Sequence, residues 1–332
     1  MLSRRIGSLV GRAVGAPAEG RADAPTHLVL GAVPVHATGQ ATRGSNAVTW
    51  ADAYPRRVDD GLGERAAGAV VGGAVGDALG MGTQATAMAR NLWRSLIANG
   101  GALVPGDVLV RHLAWLASGP PDVGAQTRLA LEEVRRGTPE ASRAVFERRG
   151  PEVSAGNGSV MYCAPLGVAR ARDPERLFSE APALSKLTHW DGRCSTACLA
   201  VTLAVAALVR GEEPAAAVRA AVGAVAGREG AEELEHLVDE AGRSRPIDGP
   251  DRGFALFTAG IALQVVGEGL GFEAGLRRVT SLGGDTDTNA AVAGALLGAR
   301  HGRAAIPPAW FDRVAEGDAI DTDARALASL VV

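Results

Sequence analysis

Apolar residues recur at helical spacing from Glu64 towards the C-terminus, and Gly or Pro interrupts the pattern at nearly every gap. Apolar positions that repeat every three or four residues indicate helices, and Gly and Pro are the residues that end them. The pattern predicts helices over residues 65–79, 87–99, 105–118, 124–136, 139–149, 173–185, 193–210, 214–226, 230–242, 251–267, 272–280 and 288–301. The helical part contains no internal repeat, which argues against a solenoid.

The first 62 residues differ from the rest of the chain. They are rich in Gly, Pro and Arg, and their apolar periodicity is weak. Such a segment favours loops with short helices and partial flexibility. We therefore divide the chain into an irregular N-terminal extension, residues 1–62, and a helical domain, residues 63–332.

Two of the predicted helices carry glycines spaced by four residues. These glycines are Gly68, Gly72, Gly76 and Gly80 in the first helix, and Gly294, Gly298 and Gly302 at the end of the last. Glycine costs about 1 kcal/mol relative to alanine at an interior helix position. Close backbone contact can offset that cost, so we predict that the two helices cross tightly in the core.

The composition supports an all-α fold and narrows the function. Hydrophobic residues make up 47% of the chain, but aromatic residues only 4%. Abundant alanine with few aromatic residues fits closely packed helices better than a β-sandwich. The net charge is −3 and there is no basic stripe, so we expect no nucleic-acid partner.

The cysteines and apolar stretches indicate a cytoplasmic protein. Cys163, Cys194 and Cys198 are too few and too irregular for a disulfide framework, and we expect buried thiols. Arg12 interrupts the N-terminal apolar run too early for a secretion signal. The longest apolar stretch, 196–209, is too short to span a bilayer, so we expect no membrane association.

The most informative segment is the run SLGGDTDTN over residues 281–289. Two carboxylates two residues apart, followed by a hydroxyl, can direct several hard oxygen ligands to one divalent cation, and the glycines let backbone approach a ligand. We interpret the segment as a Mg²⁺ or Mn²⁺ site. Its candidate metal ligands are Asp285, Asp287 and Thr288, and Gly283 and Gly284 are candidate substrate-binding residues. The alternative is that Asp287 or Thr288 simply caps the following helix.

A second candidate segment reads SAGNGSVM over residues 154–161. Backbone amides freed by glycine, with Asn and Ser side chains between them, suit a phosphate or diphosphate. The candidate residues are Gly156, Asn157, Gly158 and Ser159. The alternative is an ordinary Asn-Gly turn.

A third segment, LTHWD over residues 187–191, precedes the helix predicted from residue 193. Asp191 suits the N-cap of that helix. His189 would then lie over the helix start, where it could donate to a ligand oxygen, although a structural histidine is an equal alternative.

The order of these segments resembles the ADP-ribosylglycohydrolase family. The chain has an opening glycine-rich helix ending GDALG at Gly80, then GNGS with APLG, then Thr-His before a helix, and finally LGGDTDT. The resemblance covers about residues 64–312. It implies a compact single all-α domain with a central cleft, a pair of Mg²⁺ or Mn²⁺ ions at the ribose, and hydrolytic release of ADP-ribose from its attachment.

The resemblance also implies roles for individual residues. Asp285, Asp287 and Thr288 would be metal ligands, and either carboxylate could position water as the catalytic group. Residues 156–159 would hold the diphosphate, and His189 would contact the ADP-ribose portion. The metal would orient ribose hydroxyls and lower the pKa of bound water.

One part of the family pattern is missing. Where relatives have a Thr-Asp-Asp-Thr metal segment, this chain reads Thr83-Gln84-Ala85-Thr86, and the preceding loop has shrunk to Met81-Gly82. Losing two anionic ligands removes much of the charge that would hold a second cation. We therefore expect one ion, held by Asp285, Asp287, Thr288 and Thr83.

Two classes of function follow from this sequence. The first is a hydrolase that cleaves a glycosidic bond to ADP-ribose, or to a related ribosyl ligand, with metal assistance. The second is a degenerate family member that binds ADP-ribose or has a regulatory or structural role. In either class the partner is ADP-ribose or an ADP-ribosylated substrate, and we expect a monomer.

Overall fold

The computed structural model describes residues 61–240, 249 and 252–331, and these form α-helices joined by loops and short 3₁₀ turns. The α-helices are, in chain order, α1 Leu62–Leu79, α2 Gln84–Ala98, α3 Pro105–Ala117, α4 Ala125–Arg135, α5 Ala141–Arg149, α6 Ala164–Ala169, α7 Leu177–Ser185, α8 Gly192–Val209, α9 Pro214–Ala224, α10 Ala231–Glu240, α11 Ala255–Gly267, α12 Phe272–Ser281, α13 Thr286–His301, α14 Pro308–Phe311 and α15 Gly317–Ala328. The described residues contain no strand, and their one isolated β-bridge joins Gly156 to Phe254. The all-α prediction is confirmed.

Every helix predicted from the sequence corresponds to an observed helix. The largest differences at a helix start are at α7 and α11, which begin at Leu177 and Ala255 rather than at residues 173 and 251. The hydrophobic pattern predicted no helix at the positions of α6, α14 and α15. The predicted extension, residues 1–62, lies outside the described residues except for Gly61 and Leu62, so the division into extension and domain stays a prediction.

Helices α1 and α13 cross in backbone contact, as the glycine spacing predicts. A Cβ placed on Gly72 would lie 2.3 Å from the carbonyl oxygen of Gly294, and one on Gly298 would lie 1.9 Å from that of Gly68. Real Cβ atoms do not approach other atoms so closely, so only glycine fits these positions. The crossing is confirmed, and it fixes the C-terminal end of α1 against the N-terminal end of α13.

Helix α8 forms the centre of the core, with nearly every residue buried. It is long and apolar enough, by length and composition, to cross a bilayer, but 89% of it is buried inside the protein. The sequence prediction that this stretch is too short to span was wrong in length, because the helix begins at Gly192. Its burial against other helices is typical of a core helix.

Candidate functional site

The segment with the two Asp residues forms the start of α13. Gly283 and Gly284 have φ angles of 76° and 73°, a left-handed conformation that favours glycine. Asp285 occupies the N-cap position, but its side chain makes no capping hydrogen bond. Asp287 lies inside the first turn of the helix, so the interpretation of Asp287 or Thr288 as the N-cap was wrong. The carboxylates of this segment are therefore not explained by helix capping.

Asp285 is tied to the glycine-rich segment by a side-chain hydrogen bond. The Asn157 amide nitrogen donates to Asp285 Oδ2 at 2.7 Å and to Thr258 Oγ1 at 2.9 Å. Thr258 in turn donates to Asn289 Oδ1 at 2.7 Å. Because both amide hydrogens of Asn157 are used, the network fixes the direction of the Asp285 carboxylate.

Burial raises the pKa of Asp285 from 3.8 to about 6. The neighbouring Asp287 contributes to that rise, whereas hydrogen bonds from Asn157 and Thr288 oppose it. A carboxylate is most costly to ionise when it is buried beside another carboxylate. This end of α13 therefore favours a bound positive charge.

A third carboxylate, that of Asp77, belongs to the same site. Asp77 lies in the last turn of α1 and is 1% exposed. Its Oδ2 accepts hydrogen bonds from the backbone nitrogen of Thr86 at 2.8 Å and from the Thr86 hydroxyl at 2.6 Å. Burial raises the pKa of Asp77 to about 6, although the two hydrogen bonds from Thr86 lower it. The nearby Asp287 also contributes to the rise. Sequence reasoning assigned Asp77 no role.

Asp77 and Asp287 converge beside Gly82. Asp77 Oδ1 and Asp287 Oδ2 lie 2.3 Å and 2.6 Å from the position that a Cβ on Gly82 would take. Asp77 Oδ1 is buried and has no hydrogen-bond partner among the described residues. Two carboxylate oxygens directed at one point, one of them unpartnered, suit a small hard cation such as Mg²⁺ or Mn²⁺.

Asp77, Asp285 and Asp287 are near one another but do not form a ready-made three-carboxylate site, because within residues 61–240, 249 and 252–331 no three His, Cys, Asp or Glu side chains are placed to hold a metal ion together. The expectation of a single ion stays a prediction. Neutral oxygens and waters would have to complete the coordination of an ion at this site. Thr288 is buried and hydrogen-bonded to Asp285, which makes its hydroxyl one such oxygen.

Thr83, the remaining predicted ligand, is next to Gly82 in the chain. It is the N-cap residue of α2 and follows Gly82 directly, but its side chain makes no capping hydrogen bond and is exposed. Thr86 is the last residue of the segment in which relatives have two Asp residues. Its backbone nitrogen and its hydroxyl both donate to Asp77. The ligand role predicted for Thr83 stays a prediction.

The glycine-rich segment forms a 3₁₀ helix, Asn157–Tyr162, rather than an isolated turn. The Ser159 hydroxyl points into the core, where it lies 3.0 Å from Ser185 Oγ and accepts from the Cys198 thiol. The side-chain amide hydrogens of Asn157 are also engaged, and its backbone nitrogen donates to the Gly253 carbonyl oxygen at 2.8 Å. The phosphate contact predicted here therefore depends on the backbone amides of Gly156, Gly158 and Ser159. That contact stays a prediction.

His189 lies over Gly158, opposite a residue that sequence reasoning missed. A Cβ on Gly158 would lie 3.0 Å from both His189 Nε2 and Thr127 Oγ1. The Thr127 hydroxyl is buried and has no hydrogen-bond partner among the described residues. A threonine on a helix carries no sequence signal for such a position, because only packing brings α4 over the glycine-rich segment.

The imidazole of His189 is neutral at neutral pH. Burial lowers its pKa to about 4, Asp191 opposes the shift, and Arg149 adds to it. Nδ1 lies 2.9 Å from the hydroxyl of Thr188. If Nδ1 accepts from that hydroxyl, Nε2 carries the proton and can donate to a ligand oxygen above Gly158.

Asp191 accepts from the backbone nitrogen of Arg193, so its prediction as N-cap of α8 is confirmed.

The amino-acid sequence is similar to those of known proteins. The chain is 30% identical over 233 residues, 70% of its length and 73% of the relative's, to ADP-ribosyl-[dinitrogen reductase] glycohydrolase of Rhodospirillum rubrum. It is 26% identical over 210 residues to ADP-ribosylarginine hydrolase Tri1 of Serratia proteamaculans (strain 568), covering 62% of this chain and 54% of that protein.

A solved structure shares the fold as well. It is titled "ADP-ribosylglycohydrolase-related protein complex", with a TM-score of 0.64 and 28% identity over 82% of this chain and all of the other. The family model described as ADP-ribosylglycohydrolase matches residues 58–332. The names of these relatives support a glycosidic-bond hydrolase, the first of the two predicted classes of function. The chain belongs to the ADP-ribosylglycohydrolase family.

Proposed function

We propose that this protein hydrolyses the glycosidic bond between ADP-ribose and an acceptor group, with the help of one Mg²⁺ or Mn²⁺ ion. The first acceptor to test is arginine, because two of the relatives are named ADP-ribosylarginine hydrolases. The ion would be held by Asp285, Asp287, Thr288 and Thr83.

The observation that supports this proposal most strongly is the hydrogen bond between Asn157 and Asp285. These residues are 128 positions apart in the chain, and each comes from a different candidate segment. Their contact joins the segment suited to phosphate with the segment suited to a cation. That combination suits a ligand that carries a diphosphate next to a ribose.

The side chains of the cleft have separate tasks in this proposal. Asn157 holds Asp285 in a fixed direction, and Asp285 and Asp287 are the candidate groups that position the attacking water. The neutral His189 donates to an oxygen of the ADP-ribose, and the backbone amides of Gly156, Gly158 and Ser159 hold the diphosphate. When bound, the ion would supply orientation of the ribose hydroxyls and a lower pKa for water.

A binding protein without turnover is the second candidate function. The observation that favours it is the sequence of residues 83–86, where the Asp pair of the family pattern is absent. Losing those carboxylates weakens the hold on a second ion. Binding of ADP-ribose would survive, since the glycine-rich segment and His189 are both present.

Release of ADP-ribose from ADP-ribosylarginine in the presence of Mn²⁺ distinguishes the two functions. We expect release by the wild-type protein and its loss, by about a hundredfold or more, in Asp287→Ala. Asp318→Ala is the matched control, because Asp318 is also the second residue of its helix, but in α15 and exposed. Binding of ADP-ribose without release supports the second function. Undiminished release by Asp287→Ala refutes the role of Asp287.

A further inference from the structure

Asp77 is held in an unusual way for a buried carboxylate. Both hydrogen bonds that it accepts, from the Thr86 backbone and from the Thr86 hydroxyl, go to Oδ2. Oδ1 is buried and receives none from the described residues. An unpaired buried oxygen of a carboxylate is expensive, so its persistence requires a partner of another kind.

The direction of Oδ1 indicates what that partner is. Oδ1 points at Gly82, and so does Oδ2 of Asp287. A neutral donor would satisfy one oxygen, but two carboxylates directed at one place are stabilised best by a cation. Only glycine fits at position 82, because a Cβ there would lie 2.3 Å from Asp77 Oδ1 and 2.6 Å from Asp287 Oδ2.

We infer that Asp77 supplies the anionic ligand that this chain lacks at residues 83–86, with Oδ1 binding the divalent cation opposite Asp287. The inference rests on the proposed metal-assisted function and gives a ligand role to Asp77, the carboxylate of the GDALG segment, to which the sequence patterns assigned none. In place of the carboxylates that are absent from the start of α2, the last turn of α1 provides the carboxylate of Asp77. The tight crossing of α1 and α13 brings Asp77 within reach of Asp287.

Thr86 acts as a positioning residue in this arrangement. By holding Oδ2 at two points, it turns Oδ1 towards Gly82. Partners that orient a metal ligand commonly change metal affinity by about tenfold to a hundredfold when removed. Thr86 is thus the residue that makes a helix carboxylate usable as a ligand.

Titration of the full-length protein with Mn²⁺, followed by electron paramagnetic resonance of the free ion, tests the inference. We expect Asp77→Asn to weaken Mn²⁺ binding at least about tenfold, because removing a metal ligand should cost at least as much affinity as removing a residue that orients one. Glu133→Gln is the control, because Glu133 is buried too but is fully paired with Thr138, Arg136 and Arg148. It should bind Mn²⁺ like the wild type.

Thr86→Val keeps the test decisive if Asp77→Asn fails to fold. It removes one of the two hydrogen bonds to Oδ2 and leaves the carboxylate in place, and it should weaken Mn²⁺ binding by a smaller factor. Wild-type affinity in a folded Asp77→Asn protein, or in Thr86→Val when Asp77→Asn does not fold, would overturn the inference and leave the proposed function standing. Absence of Mn²⁺ binding by the wild type would instead overturn both.

Discussion

Replacing Gly72 by alanine tests whether the crossing of α1 and α13 holds the site together. The new Cβ would lie 2.3 Å from the Gly294 carbonyl oxygen and 3.1 Å from its carbon. An ordinary contact is longer by about 1 Å, so the two backbones would have to separate by about that distance. Neither backbone can rotate away, because both belong to helices.

The expected loss of stability follows from two opposing terms. Alanine gains about 1 kcal/mol of helix propensity over glycine. Overpacking a close-packed core costs about 1–3 kcal/mol, and the upper end applies where backbone meets backbone. We therefore expect Gly72→Ala to lower the free energy of unfolding by about 2 kcal/mol.

Gly73→Ala is the control for this prediction. Gly73 is the next residue of α1, and a Cβ there would lie 3.5 Å from Ala291 and Ala295 atoms, which is ordinary contact. Helix propensity should then dominate and raise the free energy of unfolding by up to about 1 kcal/mol. Urea unfolding followed by circular dichroism measures both variants. Equal stability of Gly72→Ala and Gly73→Ala would refute the tight crossing.

Two further predictions concern buried polar groups. His112 is fully buried, and burial lowers its pKa from 6.5 to about 3. The unfolded chain then binds a proton that the folded chain does not, so stability falls as pH drops below 6.5, by up to about 1.4 kcal/mol per pH unit between pH 6 and 4. His112→Gln should remove this contribution, so that the pH dependence of stability in urea unfolding becomes shallower by that amount while the buried His189 still contributes. An unchanged slope would contradict the burial of a neutral imidazole at position 112. Thr127→Val should leave stability within about 0.5 kcal/mol, because its hydroxyl has no hydrogen-bond partner among the described residues. The same variant should weaken ADP-ribose binding in calorimetry about fivefold, and unaltered affinity would show that the hydroxyl does not face the ligand.

Local sequence signals predicted the helices and the crossing well. Gly and Pro end helices for reasons that do not depend on the rest of the fold, and glycines four residues apart share one helix face wherever the helix lies. The helix α15 was missed although Ile320, Ala324 and Leu327 have helical spacing and are buried. That signal was present and could have been used.

The composition of the site was harder to predict, because it depends on contacts between distant segments. Asp77 reads as one polar residue in a glycine-rich helix, and its importance appears only when Gly82 and Asp287 are brought beside it. Ser159 was predicted at the ligand, but the 3₁₀ helix turns its hydroxyl towards Ser185. Sequence motifs locate such a segment, whereas packing decides which side chains face the cleft.

The number of Mn²⁺ ions bound per chain tests the central claim most directly. Calorimetric titration of the wild-type protein should give one ion per chain, and Asp287→Ala should abolish the binding. Two ions per chain, or one ion still bound by Asp287→Ala with undiminished affinity, would contradict a single cation held at the start of α13.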